Sequence, residues 1–227
     1  MRSLWSFDAQ SWDNAAVPLI DRVAAMVLLA GSVFIMPTVV NCFLGNRLDV
    51  PDVLIFSALP GVIAYRLIPA SAIPLRRVTP ADVKWCALVI IPLLLTVGII
   101  TLGWTSLLKL FQIPFMETQP WLAVIKEYHG VQLVQLFFGL CVLPPVVEEL
   151  LFRRLIYGEL LRFGAVTAFV VTAVLFSVCH FFVAGIPGLF VLGVAFQLMF
   201  LKQKNLAAAM VLHGLVNAVA FFNTVFS

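Results

Sequence analysis

Residues 131–161 read VQLVQLFFGLCVLPPVVEELLFRRLIYGELL, an apolar run that contains two prolines and a short group of charges. About twenty residues of α-helix cross the hydrocarbon of a bilayer, so this run is long enough to span one. A charged side chain at the middle of a membrane costs at least ~2.5–3.5 kcal/mol on insertion. The stretch Glu148–Arg153 therefore predicts a membrane helix whose charged side chains are paired or take part in function.

The composition of the whole chain is that of a membrane protein. Of its 227 residues, 63% are hydrophobic and 11% are charged, whereas a soluble domain carries about 25% charged residues. Seven apolar runs can form membrane helices, the second being the weakest because it is short and contains Pro60–Gly61: 23–44, 52–68, 85–108, 131–161, 165–183, 186–202 and 205–226. We expect an all-α polytopic membrane bundle of six to seven transmembrane helices.

The unusual polar residues all fall in the second half of the chain. We divide it into residues 1–120, which are N-terminal transmembrane helices without a recognised motif, and residues 121–227, which carry these groups. Between the two, the segment Gln119–Tyr128 alternates apolar and charged residues. Such a segment is typical either of a helix along the membrane surface or of a plain loop helix.

The basic residues indicate how the helices are oriented. They concentrate in alternate connectors: Arg66, Arg76, Arg77 and Lys84, then Arg153, Arg154 and Arg162, then Lys202 and Lys204. Cytoplasmic loops carry the excess of Lys and Arg, so we expect a multi-pass protein of the cell membrane with a cytoplasmic N-terminus. The net charge is only +3, and no cluster of cations interleaved with aromatic residues favours nucleic acid as a partner.

Helical spacing separates the two glutamates. Glu149 and Arg153 are four residues apart, about 40° around a helix, which is the geometry of an ion pair. Glu148 lies about 140° from Arg153. We expect Arg153 to neutralise Glu149 and to leave Glu148 facing a cavity.

His180 is expected to lie at the same depth in the membrane as Glu148. If the fourth and fifth helices turn at Phe163–Gly164, with Gly164 in a left-handed cap, Glu148 and His180 are equally far from the turn along the sequence. At ~1.5 Å per residue, each lies about 24 Å from it. The two side chains are therefore expected to meet.

The last helix supplies a second histidine. His213 and Asn217 are four residues apart and share one helix face, so the amide can orient the imidazole or bind a ligand beside it. A turn at Lys204–Asn205 brings His213 about 13 Å back into the membrane, close to the level of the other groups.

This set of side chains is sufficient for hydrolysis of an amide. A carboxylate in a low-dielectric cavity is a stronger base than one in water. Glu148 would take a proton from water, which His180 would position. His213 and Asn217 would stabilise the oxyanion of a tetrahedral intermediate.

Other chemistry is less well supported. There is no Gly-x-Ser-x-Gly elbow, and Cys179 cannot share a helix face with His180. The His-Glu-x-x-His zinc motif is absent, yet Glu148, His180 and His213 could instead hold zinc or another divalent metal. We favour no cofactor. A transporter, a channel or a scaffold that has lost catalysis is the alternative, although internal inverted repeats, which are typical of many transporters, are not found.

The motifs resemble a known family. In order, the chain contains Glu148-Glu149-x-x-x-Arg153, Phe176-x-x-x-His180 and His213-x-x-x-Asn217. This ordered set, within about residues 130–222, is similar to the CAAX protease and bacteriocin-processing family of intramembrane proteases, also called CPBP or Abi, which is related to the Ras-converting CAAX endopeptidases.

The resemblance implies a glutamic-type intramembrane endopeptidase. Glu148 and His180 would act on water, His213 and Asn217 on the oxyanion, and Glu149 and Arg153 would be the supporting pair, whereas older descriptions of the family treat such residues as metal ligands. Implied partners are the lipid bilayer and a membrane-associated protein or peptide substrate: a prenylated CAAX protein, a peptide precursor or a C-terminal sorting tag.

Two consecutive prolines precede the glutamates. Pro144 and Pro145 are expected to kink or locally open the helix that carries Glu148. Such an opening can admit water or an extended substrate.

Overall fold

The computed structural model describes residues 17–31, 63, 75–117, 119, 122 and 124–227. Its α-helices are α1 (Leu19–Ala30), α2 (Pro80–Leu110), α3 (Gly130–Cys141), α4 (Leu143–Glu149), α5 (Tyr157–Leu160), α6 (Ala165–Val178), α7 (Ile186–Gln203) and α8 (Leu206–Phe226). A π-helical segment, Leu150–Ile156, joins α4 to α5, and single 3-10 turns occur at Val124–Glu127, Leu161–Phe163 and Val183–Gly185. The described part of the chain contains no strand.

The all-α polytopic bundle is confirmed. Among the described residues, four helical stretches are long and apolar enough to cross a membrane: Pro80–Leu110, Gly130–Phe163, Val183–Gln203 and Leu206–Phe226. Helix α6 is a shorter apolar helix between them. Apart from residue 63, the predicted span 52–68 lies outside the described residues, as does all of span 23–44 beyond residue 31, so the count of six to seven helices stays a prediction.

One predicted segment differs from the structure, and a second is described only in part. The fifth span was predicted as 165–183, but α6 ends at Val178, and a turn containing His180 follows it. The span predicted from hydropathy is longer than the helix because residues 181–183 are also apolar. In the predicted segment Gln119–Tyr128, the structure describes a helical residue, Leu122, and the 3-10 turn Val124–Glu127, in which Ile125 is buried and Glu127 is exposed.

The predicted hairpin at Gly164 forms, but not with a left-handed cap. Gly164 has φ +100° and ψ 147°, so its φ is positive, as glycine allows, while its ψ is extended. The preceding helix tightens into the turn Leu161–Phe163, and the Gly164 N–H donates to the Leu161 carbonyl at 3.0 Å. That contact closes the helix without the left-handed geometry.

The helix that carries the glutamates is broken where the prolines predicted it. Helix α3 ends at Cys141, Val142 has a φ of −119°, and α4 starts at Leu143 with the prolines in its first turn. After Glu149 the chain winds into the π-helical segment, a rare conformation that occurs frequently at functional sites.

Not all predicted connector cations lie in connectors. Arg153 and Arg154 are buried in the π-helical segment, and Arg22 of α1 forms an ion pair with Glu159 beside it. Arg162, in contrast, is exposed at the hairpin turn. The burial of Arg153 agrees with its predicted pairing with Glu149. The connector assignment was wrong for Arg154, because its linear distance from the turn does not reveal that it faces the core.

A polar network attaches α2 to the start of α8. Thr79 and Asp82 form a capping box at the α2 N-terminus. Asn205 accepts hydrogen bonds from the backbone N–H groups of Arg76 at 3.0 Å and Ala207 at 3.2 Å, and its amide donates to Asp82 at 3.3 Å. Because Asp82 and Asn205 are buried, their mutual satisfaction fixes α2 against the C-terminal half.

Helix α2 also contacts the connector that follows α6. A Cβ on Gly188 would lie 2.6 Å from Oγ1 of Thr101, so α2 and α7 approach closely at that glycine. One turn further along α2, the Trp104 indole N–H donates to the Val183 carbonyl at 2.9 Å. The segment around His180 is thus held from outside the motif-bearing half.

Candidate active site

Glu148 lies at the centre of the bundle, facing two histidines. Its side chain, on the last turn of α4, is 6% exposed, and Oε2 has no hydrogen-bond partner among the described residues. This oxygen is 3.8 Å from Nε2 of His180 and 3.9 Å from Nε2 of His213. The depth argument from helical rise is therefore confirmed for both histidines.

His180 is positioned by the end of α6. Its Nδ1 lies 2.6 Å from the carbonyl oxygen of Phe176, one of the last carbonyls of the helix, which have no partner within it. A carbonyl only accepts, so Nδ1 carries the proton and donates. In the neutral ring Nε2, the nitrogen nearer Glu148, is then an acceptor.

His213 is oriented by Glu149. Its Nδ1 lies 3.0 Å from Oε1 of Glu149, and both side chains are buried. The other oxygen of Glu149 lies 3.0 Å from Nε of Arg153, so the predicted ion pair four residues apart is present. Glu149 thus has a second contact that sequence spacing did not reveal, because it joins segments 64 residues apart.

Arg153 is fully buried and is held by more than its carboxylate partner. Its Nη2 donates to the Gly193 carbonyl at 3.0 Å. The guanidinium carbon is 4.7 Å from the ring centroid of Phe176 and 5.6 Å from that of Phe196. Cation–π contacts of this kind are strongest where the cation is desolvated, as it is here.

The same aromatic rings enclose the histidines. The His213 ring stacks on Phe196, with centroids 4.4 Å apart and an angle of 21° between planes. Phe176 lies 4.8 Å from His180 and 5.7 Å from His213, centroid to centroid. Phe176 was predicted from its motif, but Phe196 was missed, since one Phe in an apolar helix gives no signal that it faces a site.

Asn217 does not orient His213. It lies one turn beyond His213 on α8, as predicted, but its amide donates to the Leu140 carbonyl oxygen at 2.9 Å. The imidazole is oriented by Glu149 instead. Leu140 belongs to α3, so Asn217 connects α8 to the helix just before the proline break.

The alternative metal ligands Glu148, His180 and His213 face one another, but their atoms are further apart than the donors of a tetrahedral site. Donors bound tetrahedrally at about 2.0–2.1 Å lie roughly 3.3–3.4 Å apart, whereas the histidine nitrogens are 3.8 and 3.9 Å from the oxygen of Glu148. Within the described ranges, no group of three or more His, Cys, Asp or Glu side chains is arranged to hold a metal ion. The expectation of no cofactor, with zinc or another divalent metal as the alternative, stays a prediction.

Comparison with known proteins confirms the family resemblance. Residues 130–219 match the family described as type II CAAX prenyl endopeptidase Rce1-like. The membrane-embedded CAAX protease MroQ of Staphylococcus aureus (strain USA300) is 32% identical over 87 residues, which is 35% of each chain. The chain thus aligns with about a third of the length of this curated relative, and no solved structure gives a significant match.

Removing Arg153 alone is expected to destabilise the fold. In Arg153→Met, Glu149 keeps a buried charge without its cation, which costs ~3–5 kcal/mol for a buried pair. The double variant Arg153→Met with Glu149→Gln removes both charges and should recover most of that loss. Thermal unfolding of the full chain in detergent measures both, with the exposed Arg77→Met as control. An unfolding temperature of Arg153→Met equal to that of the control would contradict the assignment.

Proposed function

We propose that this chain, whose residues 130–219 match the Rce1-like CAAX endopeptidase family, is an intramembrane endopeptidase that hydrolyses a peptide bond in a membrane-associated protein or peptide. The observation that supports this most directly is the buried carboxylate of Glu148 with the Nε2 atoms of two oriented imidazoles near one oxygen. Separations of 3.8–3.9 Å are too long for direct hydrogen bonds. The first suits a pair, Glu148 and His180, that acts together on a water molecule.

Glu148 and His180 activate the water. Nε2 of neutral His180 accepts one hydrogen of the water, since Nδ1 is the protonated nitrogen. The carboxylate of Glu148 accepts the other hydrogen, and the remaining lone pair of the water oxygen points at the substrate carbonyl carbon. As the new C–O bond forms, the proton moves to Glu148, which acts as general base.

His213 and Asn217 stabilise the negative charge that develops on the carbonyl oxygen. In its doubly protonated form His213 donates from Nε2, while Glu149 holds the ring through Nδ1. The amide of Asn217 has two N–H donors, of which one binds Leu140 and the second is available to the oxyanion. Donors held in place before the reaction lose little energy to reorganisation.

Collapse of the intermediate completes hydrolysis. Glu148 returns its proton to the leaving nitrogen, the C–N bond breaks, and an acid and an amine are released. No covalent intermediate with the protein forms in this scheme, so one carboxylate serves first as base and then as acid. Use of Glu148, His180 and His213 as ligands of zinc or another divalent metal is the second candidate, and a transporter or scaffold is the third.

Glu148→Gln is expected to abolish cleavage and leave the fold intact. Glutamine has nearly the same shape but cannot take a proton, and general base catalysis contributes about 10²–10⁴-fold. Purified full-length protein would be assayed in detergent against a prenylated CAAX peptide, a peptide precursor and a C-terminal sorting tag. Glu127→Gln, at an exposed position, is the matched control. Equal cleavage by both variants would exclude the mechanism, and a phenotype in cells independent of Glu148 would favour a transporter or scaffold.

Chelation is expected to leave the activity unchanged. A reaction run by side chains requires no metal, so the purified protein should cleave its substrate equally before and after treatment with a chelator, with a metal content well below one ion per chain. Loss of activity that zinc restores would instead make Glu148, His180 and His213 ligands. Metal analysis and cleavage rate are measured on the same samples.

We further propose that the N-terminus of the chain and the N-terminal end of α2 are cytoplasmic. The reason is that Lys and Arg concentrate in the connectors on that side. Arg77 precedes α2 and Glu117 follows it, and both are exposed. In a chain with its cysteines replaced by alanine, Arg77→Cys should react with a membrane-impermeant maleimide only after permeabilisation of the cells, and Glu117→Cys should react without it. The reverse labelling pattern would invert the topology.

A further inference from the structure

The two prolines of α4 leave two backbone carbonyls without helical donors. In an α-helix the N–H of each residue bonds to the carbonyl four residues earlier, and proline has no N–H. Pro144 therefore leaves the Leu140 carbonyl without its partner, and Pro145 leaves that of Cys141. Both carbonyls lie at the break between α3 and α4. Each unpaired buried carbonyl would cost free energy.

One face of α8 covers both carbonyls. The amide of Asn217 donates to the Leu140 oxygen at 2.9 Å. One turn earlier, a Cβ on Gly214 would lie 2.7 Å from the Cys141 oxygen, closer than real Cβ atoms approach a backbone. Only glycine allows this contact between backbones. The break in the proline-bearing helix and the helix that carries His213 are therefore fitted to each other.

We propose that Pro144 is a positioning residue for the proposed hydrolysis, because it keeps the Leu140 carbonyl available to hold Asn217. With one amide N–H fixed on Leu140, the second N–H has a defined direction. An alanine at position 144 would supply a backbone N–H that competes for the same carbonyl. Asn217 would then remain in place but lose the partner that orients it. This inference rests on the proposed function, but the contact between Asn217 and the Leu140 carbonyl can be tested without assuming that function.

The kinetic test is a double-mutant cycle on Pro144 and Asn217. Asn217→Ala should lower kcat by about 10²–10³-fold, as loss of an oxyanion donor does. Pro144→Ala should lower kcat by about 10-fold with little change in KM, since the effect is on the transition state. In the double variant, Pro144→Ala should add nothing to the loss from Asn217→Ala. Multiplication of the two losses, or a Pro144→Ala variant with unchanged kcat, would overturn the proposal.

Pro145→Ala is the matched control, because it restores a donor to the Cys141 carbonyl, whereas the amide of Asn217 bonds to the Leu140 carbonyl. It should reduce kcat much less than Pro144→Ala does. If the two alanine variants lose activity equally, the break itself matters and the specific role of Pro144 is wrong.

Thermal unfolding tests the contact between Asn217 and the Leu140 carbonyl even when no cleavage is observed. Asn217→Ala leaves the Leu140 carbonyl unpaired in the wild-type background but not in the Pro144→Ala background. The drop in unfolding temperature caused by Asn217→Ala should therefore be smaller with Ala at position 144. Equal drops in the two backgrounds would overturn the inference. Coupled drops in a chain that cleaves nothing would refute the proposed function and leave the contact standing.

Discussion

The buried charge of Arg153 is the constraint on which the rest of the site depends. A fully buried guanidinium depends on contacts with protein groups, and here these come from three directions: the carboxylate of Glu149, the carbonyl of Gly193 and the faces of Phe176 and Phe196. These partners belong to α4, α6 and α7, so the contacts of one cation connect three helices.

Because Arg153 pairs with Glu149, the two glutamates have different roles. Glu149 faces Arg153 and, through its other oxygen, holds Nδ1 of His213. Glu148 points away from this pair, and one of its oxygens has no hydrogen-bond partner in the part of the chain that the structure describes. One carboxylate is thus committed to structure and one is left available for chemistry, although the two are adjacent in sequence.

Helical geometry explains why much of this could be predicted. The pairing of Glu149 with Arg153 and the meeting of Glu148 with His180 could be predicted from an ideal α-helical rotation and rise and from one turn at Gly164. The prediction holds although residues 150–156 are π-helical and His180 lies in the turn after α6. The contact of Glu149 with His213 could not be predicted in this way, because it depends on how α8 rotates against α4. The end of α6 at Val178 was also missed, since apolarity measures contact with lipid and not the winding of the backbone.

The region around Pro144 shows which contacts sequence spacing can predict and which it cannot. Counting back four residues from Pro144 identifies a carbonyl that needs a donor, but no rule of spacing identifies Asn217, 77 residues further along, as the group that supplies it. The same limit applies to Trp104, which lies outside the segment that matches the family yet binds the connector after His180. Local rules find the groups that must be satisfied, and only the packing of distant helices determines what satisfies them. A site built from such groups therefore depends on residues that carry no motif.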